Sequence, residues 1–305
     1  MTTTVLTIDE ALPAMQALAS RLWSTESRHH PGQLAWSAAY ALPEELDHGP
    51  VLLVGGPGGD PGEPVAWGWA ESDDWLELCV DPAHPAAAGV ARTVVEWFLD
   101  RAPAGQVSTM VLETEGHLLA ALEAAGFAVA DQPWFTHHTL DLASLRPVPE
   151  VEGYAFRHIT PDEHAERAAV HRAAWSATSK VSTGAYDRLA ATPPYRHDLD
   201  WVAVRTDGDG GEPGEPGDMV ASVLVWLDPA TGVALVEPVG CVEEHGGRGL
   251  AGAVSLAALT AARDAGATTG LVCPRGDDGY PVPQRIYRRI GFEPGPRTLT
   301  LTRTA

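Results

Sequence analysis

The segment CVEEHGGRGLAGAV, residues 241–254, places four glycines around Arg248 and then runs into an apolar stretch that predicts a helix over 249–265. The first turn of a helix leaves backbone N–H groups without partners and carries partial positive charge. Glycines let an anion approach that backbone closely, so the segment suits a phosphate or a pyrophosphate. The alternative is that the glycines only permit a tight turn between a strand and a helix.

A second stretch, CVDPAHPAAAGVARTVV at residues 79–95, has the same order of features without the glycine turn. In place of the glycines it has Pro85 followed by three alanines. Alanine lacks the freedom of glycine to adopt positive φ, and proline has no N–H donor. We therefore expect this earlier copy to have lost any phosphate site.

The two stretches belong to a repeated plan. In each half the pattern predicts a helix, two strands around a Gly/Pro-rich loop, a strand ending in Cys, a long helix, another strand and a short helix ending in Gly-Phe. The two Cys positions, Cys79 and Cys241, are 162 residues apart, and the Gly-Phe pairs are 165 apart. The Pro-rich segment 146–154 reads as a linker, which divides the chain into domains at 1–145 and 146–305. The predicted helices are 8–23, 89–101, 161–175 and 249–265, the predicted strands are 51–55, 65–71, 107–113, 200–205, 219–227 and 268–273, and the predicted loops are 55–64 and 206–218.

The charge is strongly acidic and unevenly shared between the halves. The whole chain has a net charge of −21, with −16 in residues 1–145 and −5 in residues 146–305. Such a surface repels nucleic acid and anionic lipid, so neither is an expected partner. A site for an anionic ligand is better placed in the second half.

Three cysteines, Cys79, Cys241 and Cys273, lie in apolar strand-like contexts without paired spacing. This argues against a disulfide framework and against a zinc site, and favours buried reduced thiols. The first residues lack the basic segment and apolar run of a signal peptide, and no apolar run approaches the length of a membrane span. We expect a cytoplasmic protein without a metal and without a membrane partner.

Residues 234–292, from ALVEPVG to QRIYRRIGF, resemble the GNAT acetyltransferase superfamily. Gly246, Gly249 and Ala251 occupy the three marked places of its phosphate loop. The chain departs from the usual pattern at Gly246, where an Arg or Gln is common, and at Asp278, where many members have Asn. The resemblance implies an α/β (α+β) fold of two tandem GNAT-like domains, each with a central, mixed, mostly antiparallel sheet flanked by helices.

The resemblance also implies acetyl-CoA as co-substrate. The loop amides would hold its pyrophosphate, and Cys241 and Val242 at the strand end would pair with its pantetheine arm. Arg248 would add charge near a phosphate or else be an ordinary solvated arginine. The full set of predicted cofactor-binding residues is Cys241, Val242, His245, Gly246, Gly247, Arg248, Gly249, Leu250, Ala251 and Asp278.

Two residues are candidates for acid–base catalysis. Tyr287 falls where the family has a tyrosine that protonates the departing thiolate; the alternative is a core aromatic residue. Glu237 lies on the strand before the loop, where a carboxylate can take the proton of the amine, directly or through water. Its alternative is a surface acid at a strand edge. Direct attack by the amine is simpler than an acyl intermediate on Cys241, which nothing marks as activated.

The sequence therefore predicts an acyl-CoA-dependent N-acetyltransferase that acts on a small amine, as a monomer or a homodimer. Its second half is catalytic and its first half degenerate, an arrangement that resembles mycothiol synthases without a close sequence match. The acidic first half favours a cationic acceptor, for which 176–198 is the best candidate region. A non-catalytic CoA-binding regulatory module or an interaction scaffold is the alternative. Five aromatic residues either line an acceptor pocket or belong to the core: Trp175, Tyr186, Tyr195, Trp201 and Trp226.

Overall fold

The structure is a computed structural model that describes residues 1–40, 48–55, 63–176, 178–179, 181–206 and 219–304. The two Gly/Pro-rich loops predicted at 55–64 and 206–218 lie largely outside these residues. The described ranges contain both repeated stretches and nearly all of the predicted acceptor segment 176–198.

The first half forms helices and strands close to the predicted positions. Its first helix begins after Thr7, whose hydroxyl accepts from the backbone N–H of Glu10 while the Glu10 carboxylate accepts from the backbone N–H of Thr7. The strands are β1 (Thr3–Leu6), β2 (Val51–Gly55), β3 (Pro64–Ser72), β4 (Trp75–Val80), β5 (Gln106–Leu112), β6 (Ala128–Val129) and β7 (Thr136–Asp141). The helices are α1 (Ile8–Leu22), α2 (Pro31–Tyr40), α3 (Ala87–Leu99) and α4 (Gly116–Ala124).

The second half repeats this order of elements. Its strands are β8 (Tyr154–His158), β9 (Asp200–Arg205), β10 (Met219–Asp228), β11 (Val233–Cys241), β12 (Thr269–Val272) and β13 (Glu293–Thr304). Its helices are α5 (His164–Ala174), α6 (Thr183–Ala190), α7 (Leu250–Asp264) and α8 (Val282–Ile290), and short 3-10 turns cover Leu142–Ser144, Pro161–Glu163, His197–Leu199 and Glu243–His245. Among the helices of the described residues, none is both long enough and apolar enough to cross a bilayer.

Each half builds a mixed sheet of the predicted class. In the first half the order is β1-β2-β3-β4-β5, and in the second it is β8-β9-β10-β11-β12. Within the described residues the parallel pairs are β4 with β5 and β11 with β12, and the other pairs are antiparallel. The long helices α3 and α7 connect the parallel strands, as a crossover requires.

The last strands of the two halves are exchanged. Strand β13, from the end of the chain, pairs with β5 of the first half along Thr298–Thr304. Strand β7, the last of the first half, pairs instead with β12 of the second half. The two exchanged strands also pair with each other through residues 293–297 of β13. One continuous sheet therefore joins the halves, and neither half completes its sheet with its own last strand.

Helices cover both faces of this sheet. In the first half, α1 packs on the face that carries Trp67 and Trp69, and α3 and α4 pack on the opposite face. In the second half, α7 and α8 pack on the face that carries Ala234 and Val236, whereas α5 and α6 pack on the face of Val233 and Leu235. Alternate residues of β11 thus enter different cores, as the period of a strand dictates.

Helix α2 was not predicted from the sequence, because it has no single apolar stripe. Its Leu34 packs into the α1 core, whereas Ala35, Trp36 and Ala39 pack into the core of the second half. A Cβ built on Gly32 would lie 2.2 Å from Cβ of Trp226, so the backbone of α2 lies directly against β10. The first half therefore forms part of the wall of the second.

We expect the strand exchange to hold the halves together after the linker is cut. A protease site introduced at 146–150, which is exposed, should yield two fragments that co-elute from a size-exclusion column in native buffer. They should separate only in denaturant, because separation breaks the pairing of β13 with β5 and of β7 with β12. Free fragments in native buffer would contradict the exchange, and the uncut chain is the control.

Candidate functional site

The turn before α7 holds two glycines in the left-handed conformation. Strand β11 ends at Cys241, and α7 begins at Leu250 with Gly249 as its N-cap. The φ angles of Gly247 and Gly249 are +75° and +82°, and a Cβ built at either position would meet no atom within 4 Å. An L side chain would be strained at both positions. The turn therefore requires glycine, and the space in front of it is open.

The backbone N–H groups of this turn are free. Those of residues 247–252 donate to no group of the described chain, and the first helical hydrogen bond runs from Ala253 N to Gly249 O at 3.0 Å. No side chain caps the helix, and its first turn contains no acidic residue. A run of free amides at the positive end of a helix of 15 residues is suited to an anion with several oxygens.

The matching turn of the first half satisfies two of its own amides. Helix α3 begins at Ala87, and its N-cap Ala86 has a φ of −112°. The N–H of Ala86 donates to Nδ1 of His84 at 3.2 Å, and that of Ala87 donates to the His84 carbonyl at 2.9 Å. Pro85 has no N–H to offer. This turn stands at the same place in the repeat, but it lacks the two positive φ angles and has fewer free donors.

Strands β11 and β12 pair over only part of their length. Their parallel register joins Val233–Leu235 with Thr269–Leu271. Beyond this point β11 continues to Cys241 and, among the described strands, pairs only with β10. The strands diverge, which leaves one edge of β11 with main-chain groups that an extended, amide-containing molecule can pair with. Cys241 and Val242 lie at the end of this edge and are partly exposed.

Glu237 lies on the diverging part of β11, at a bulge. With Pro238 it stands between Val236 and Val239, where two residues of β11 oppose one residue of β10. Its carbonyl accepts from the indole N–H of Trp226 at 2.7 Å. Burial raises the pKa of the Glu237 carboxyl to about 7. A carboxylate of this kind can take up a proton near neutral pH.

Tyr287 lies on α8, close enough to Glu237 for the charge of that carboxyl to act on it. Its ring is buried and packs edge-on against Phe292, with centroids 5.8 Å apart. Its hydroxyl makes no hydrogen bond within the described chain. Burial raises the pKa of Tyr287, and the nearby charges of Glu237 and Cys273 raise it further. The phenol therefore stays protonated at neutral pH and can serve as an acid.

The other predicted side chains have different surroundings. Leu250 is buried in an apolar cluster with Ala221, so only its N–H is available to a ligand. His245 is tied to the hydroxyl of Tyr154, which lies 2.7 Å from its Nδ1. The ring of His245 is thereby held at the base of the turn.

Arg248 and Asp278 are both exposed. Arg248 forms no ion pair with a described residue, yet its charge lowers the pKa of the Cys241 thiol against the larger effect of burial. Arg248 thus lies near the strand end. Asp278 makes no hydrogen bond within the described residues, whereas its neighbour Asp277 is paired with Arg275. Gly246 is exposed, and Ala251 lies in the first turn of α7.

One residue near the site was not found from the sequence. Arg28, from the first half, is buried close enough for its charge to act on Glu237 and Cys273. A buried arginine in the other half gives no local signal. Trp175, one of the five aromatic residues that the sequence offered for an acceptor pocket, lies against Gly240, since a Cβ there would be 2.8 Å from the indole nitrogen, and the residue is 44% exposed.

Of the other four predicted aromatic residues, Tyr186 and Trp226 belong to the core, whereas Tyr195 and Trp201 are only partly buried. Tyr186 and Trp226 are fully buried.

His137 and His138 lie on β7, and both are buried. Besides the larger effect of burial, the charges of Arg28 and His29 lower the pKa of His137, whereas the charge of Arg288 lowers that of His138, and as neighbours on a strand the two rings face opposite sides of the sheet. No group of three or more His, Cys, Asp or Glu that could hold a metal occurs in the described ranges.

Solved structures share this architecture over nearly the whole chain. A tandem GNAT protein from the clavulanic acid biosynthesis pathway matches with a TM-score of 0.63 and 21% identity, covering 99% of this chain and 98% of that chain. A GCN5-related N-acetyltransferase from Sphaerobacter thermophilus matches with a TM-score of 0.60 and 21% identity over 99% of this chain and 95% of that one. Another, from Kribbella flavida, matches with a TM-score of 0.52 and 20% identity over 98% and 96%.

No protein-family model and no curated protein sequence matches the chain. At these identities the structural matches establish the fold. The chain has the tandem GNAT fold, which confirms the predicted fold class.

The substitution Gly249→Asp tests the turn. It places a side chain at a positive φ and a negative charge against the free amides, so the affinity for acetyl-CoA should fall at least about tenfold, or 1.4 kcal/mol. Calorimetric titration measures this and should give one acetyl-CoA per unmodified chain. The matched control is Ala88→Asp in the first turn of α3, which should bind like the unmodified protein. Equal losses in both variants, or two molecules per chain, would contradict the assignment.

Proposed function

We propose that the protein is an N-acetyltransferase that moves the acetyl group of acetyl-CoA to the amine of a small molecule. The observation that carries this is the open turn of free amides at 247–252 beside the diverging strands β11 and β12. The tandem GNAT fold supports it, because two of the matching structures are described as N-acetyltransferases. In this proposal residues 146–305 form the catalytic domain, and residues 1–145 form a degenerate domain without a CoA site.

The second half offers chemically matched groups to the pyrophosphate and the pantetheine arm of acetyl-CoA. The backbone amides of residues 247–252 donate to the pyrophosphate, and Arg248, in the same turn, adds a positive charge beside it. The free edge of β11 near Cys241 and Val242 pairs with the amides of the pantetheine arm. The thioester then lies in the gap between β11 and β12, with Glu237 and Tyr287 around it.

The chemistry requires two proton transfers by this chain. Glu237 takes the proton that the amine loses as its nitrogen forms a bond with the thioester carbonyl carbon. Tyr287 gives its proton to the sulfur as the carbon–sulfur bond breaks, so the products are an amide and free CoA. No covalent intermediate on Cys241 is needed, and burial raises the pKa of its thiol, which keeps it protonated.

The acceptor side favours a cationic amine. Glu237 supplies negative charge, and the exposed indole of Trp175 lies against the end of β11, where it can contact an alkyl chain or a cation. The first half, with its net charge of −16, adds a long-range attraction for positive charge.

The pH dependence of turnover tests Glu237. A base with a pKa of about 7 must be deprotonated to act, so kcat/KM should rise with pH and level off above about pH 8. Glu237→Gln should lower kcat/KM by about 10²–10⁴ and remove this rising limb. Thiol release with a panel of amines provides the measurement. The control Glu293→Gln removes an exposed carboxylate and should keep both the rate and the profile.

The variant Tyr287→Phe tests the acid. We expect kcat to fall by about 10²-fold with little change in acetyl-CoA affinity, because the phenol acts on the leaving sulfur. The matched control is Tyr280→Phe, which changes an exposed tyrosine just before α8. Unchanged turnover of Tyr287→Phe across a pH series means that Tyr287 is not the acid.

Tight binding of acetyl-CoA without turnover of any amine would favour the regulatory module, and no binding of acetyl-CoA at all would favour the scaffold.

A further inference from the structure

Helix α2 of the first half lies directly against β10, the strand next to the one that carries Glu237. Gly32 stands in the first turn of α2, and the three atoms nearest to a Cβ built on it all belong to Trp226 of β10. Such a Cβ would overlap Cβ and Cγ of Trp226 and lie 2.7 Å from Cδ2. Because buried side chains are closely packed, a larger residue at position 32 must displace either the helix or the indole.

A buried histidine holds the start of α2 on the second half. The backbone N–H of Gly32 donates to Nδ1 of His30 at 3.1 Å, so Nδ1 is an acceptor and Nε2 carries the proton. Nε2 lies 3.4 Å from the carbonyl of Val233, the first residue of β11, and donates to it. Burial lowers the pKa of His30 to about 4, so the ring stays neutral and keeps this tautomer near pH 7. Helix α2 is therefore fixed both on β10 and on β11.

Trp226 connects α2 to the backbone of Glu237. Its side chain is fully buried, and its indole N–H donates to the carbonyl of Glu237 at 2.7 Å. In the strand register Trp226 lies opposite Leu235, so this hydrogen bond reaches two residues along β11 to the bulge. The ring of Tyr195 packs edge-on against the indole, with centroids 6.2 Å apart. An indole packed in this way is a rigid donor, and its position sets that of the peptide that carries Glu237.

We propose that Trp226 is a positioning residue for acetyl transfer, through which Gly32 of the first half holds Glu237 in place to accept the proton of the amine. This inference rests on the proposed function, because it concerns the base of that reaction. Trp226 acts through the backbone of Glu237 and need not touch the substrate. The degenerate first half thereby has a task in the reaction, which is to fix the base of the second half.

The role predicts a direction for the pKa of Glu237 when the contact is weakened. Burial is the largest influence on this carboxyl and raises its pKa to about 7. If the bulge loosens, water reaches the carboxyl, and its pKa should fall toward the ordinary value of a glutamate. A change at position 32 or 226 leaves in place the titratable and charged side chains near Glu237. Within the described residues these are Arg28, Cys273 and Tyr287.

The variants Trp226→Phe and Gly32→Ala test the two ends of this contact. Trp226→Phe keeps a buried ring and removes the N–H, whereas Gly32→Ala adds a methyl group against the indole. With the fastest amine of a panel of primary alkyl and aryl amines, both should lower kcat/KM about 10- to 100-fold. The midpoint of the rising limb of kcat/KM should move to lower pH. The affinity for acetyl-CoA, measured by calorimetry, should stay that of the unmodified chain.

The matched control is Gly68→Ala in the core of the first half. It adds the same methyl group against the side chain of Val94, between β3 and α3. Its free energy of unfolding should fall, since the added group overpacks a core. The pH midpoint of kcat/KM should nevertheless stay that of the unmodified chain, because no contact with Trp226 is changed. The control thus separates a loss of stability from a loss of positioning.

The positioning role is overturned if Trp226→Phe keeps the pH midpoint of the unmodified chain, or if Gly68→Ala moves the midpoint equally far. Trp226→Phe alone decides the question if Gly32→Ala does not fold. Glu237→Gln separates this inference from the proposed function. If Glu237→Gln removes the rising limb while Trp226→Phe leaves it unchanged, only the role of Trp226 is wrong. If Glu237→Gln leaves the profile unchanged, or if no amine is turned over, the proposed function fails and this inference fails with it.

Discussion

The pairing of β7 with β13 is the constraint on which the architecture depends. Each of these strands ends one repeat and completes the sheet of the other, so two repeats become one continuous sheet. The exchange brings the first half against the second, where α2 and Arg28 reach the wall of the second core. The wall of the second core thus contains residues of both repeats.

The two repeats differ in the backbone of the turn that joins a strand to the long helix. Both place a strand, a turn and a long helix in the same order, and both open a gap between parallel strands. In the second repeat Gly247 and Gly249 adopt positive φ, and the amides stay free. In the first, His84 takes up the amides and proline removes one more. The second repeat thus has more free amide donors at this turn than the first, which is why we propose an anion site there.

Several carboxyl groups are buried near Arg28, and burial changes their pKa values. Near the centre of the molecule, Arg28 faces more carboxylates than it can neutralise, since Glu71, Glu77 and Glu115 all lie within reach of its charge. Burial raises the pKa of Glu71, Glu115 and Glu237 to about 7 in each case. Carboxylates held in this state favour either a proton or a cationic partner, and the proposed role of Glu237 as a base uses the first of these properties.

The sequence by itself determined the repeat, the order of strands and helices, the class of the fold and the glycine turn. These depend on local periodicity and on what glycine and proline allow, which are properties of short segments. It did not give helix α2, whose residues are divided between two cores, nor the exchange of the last strands, nor the approach of Arg28 to Glu237. Only the tertiary structure decided these, because the pairing of β5 with β13 and the packing of α2 on β10 join residues far apart in the chain. Such long-range contacts leave no pattern in either segment alone.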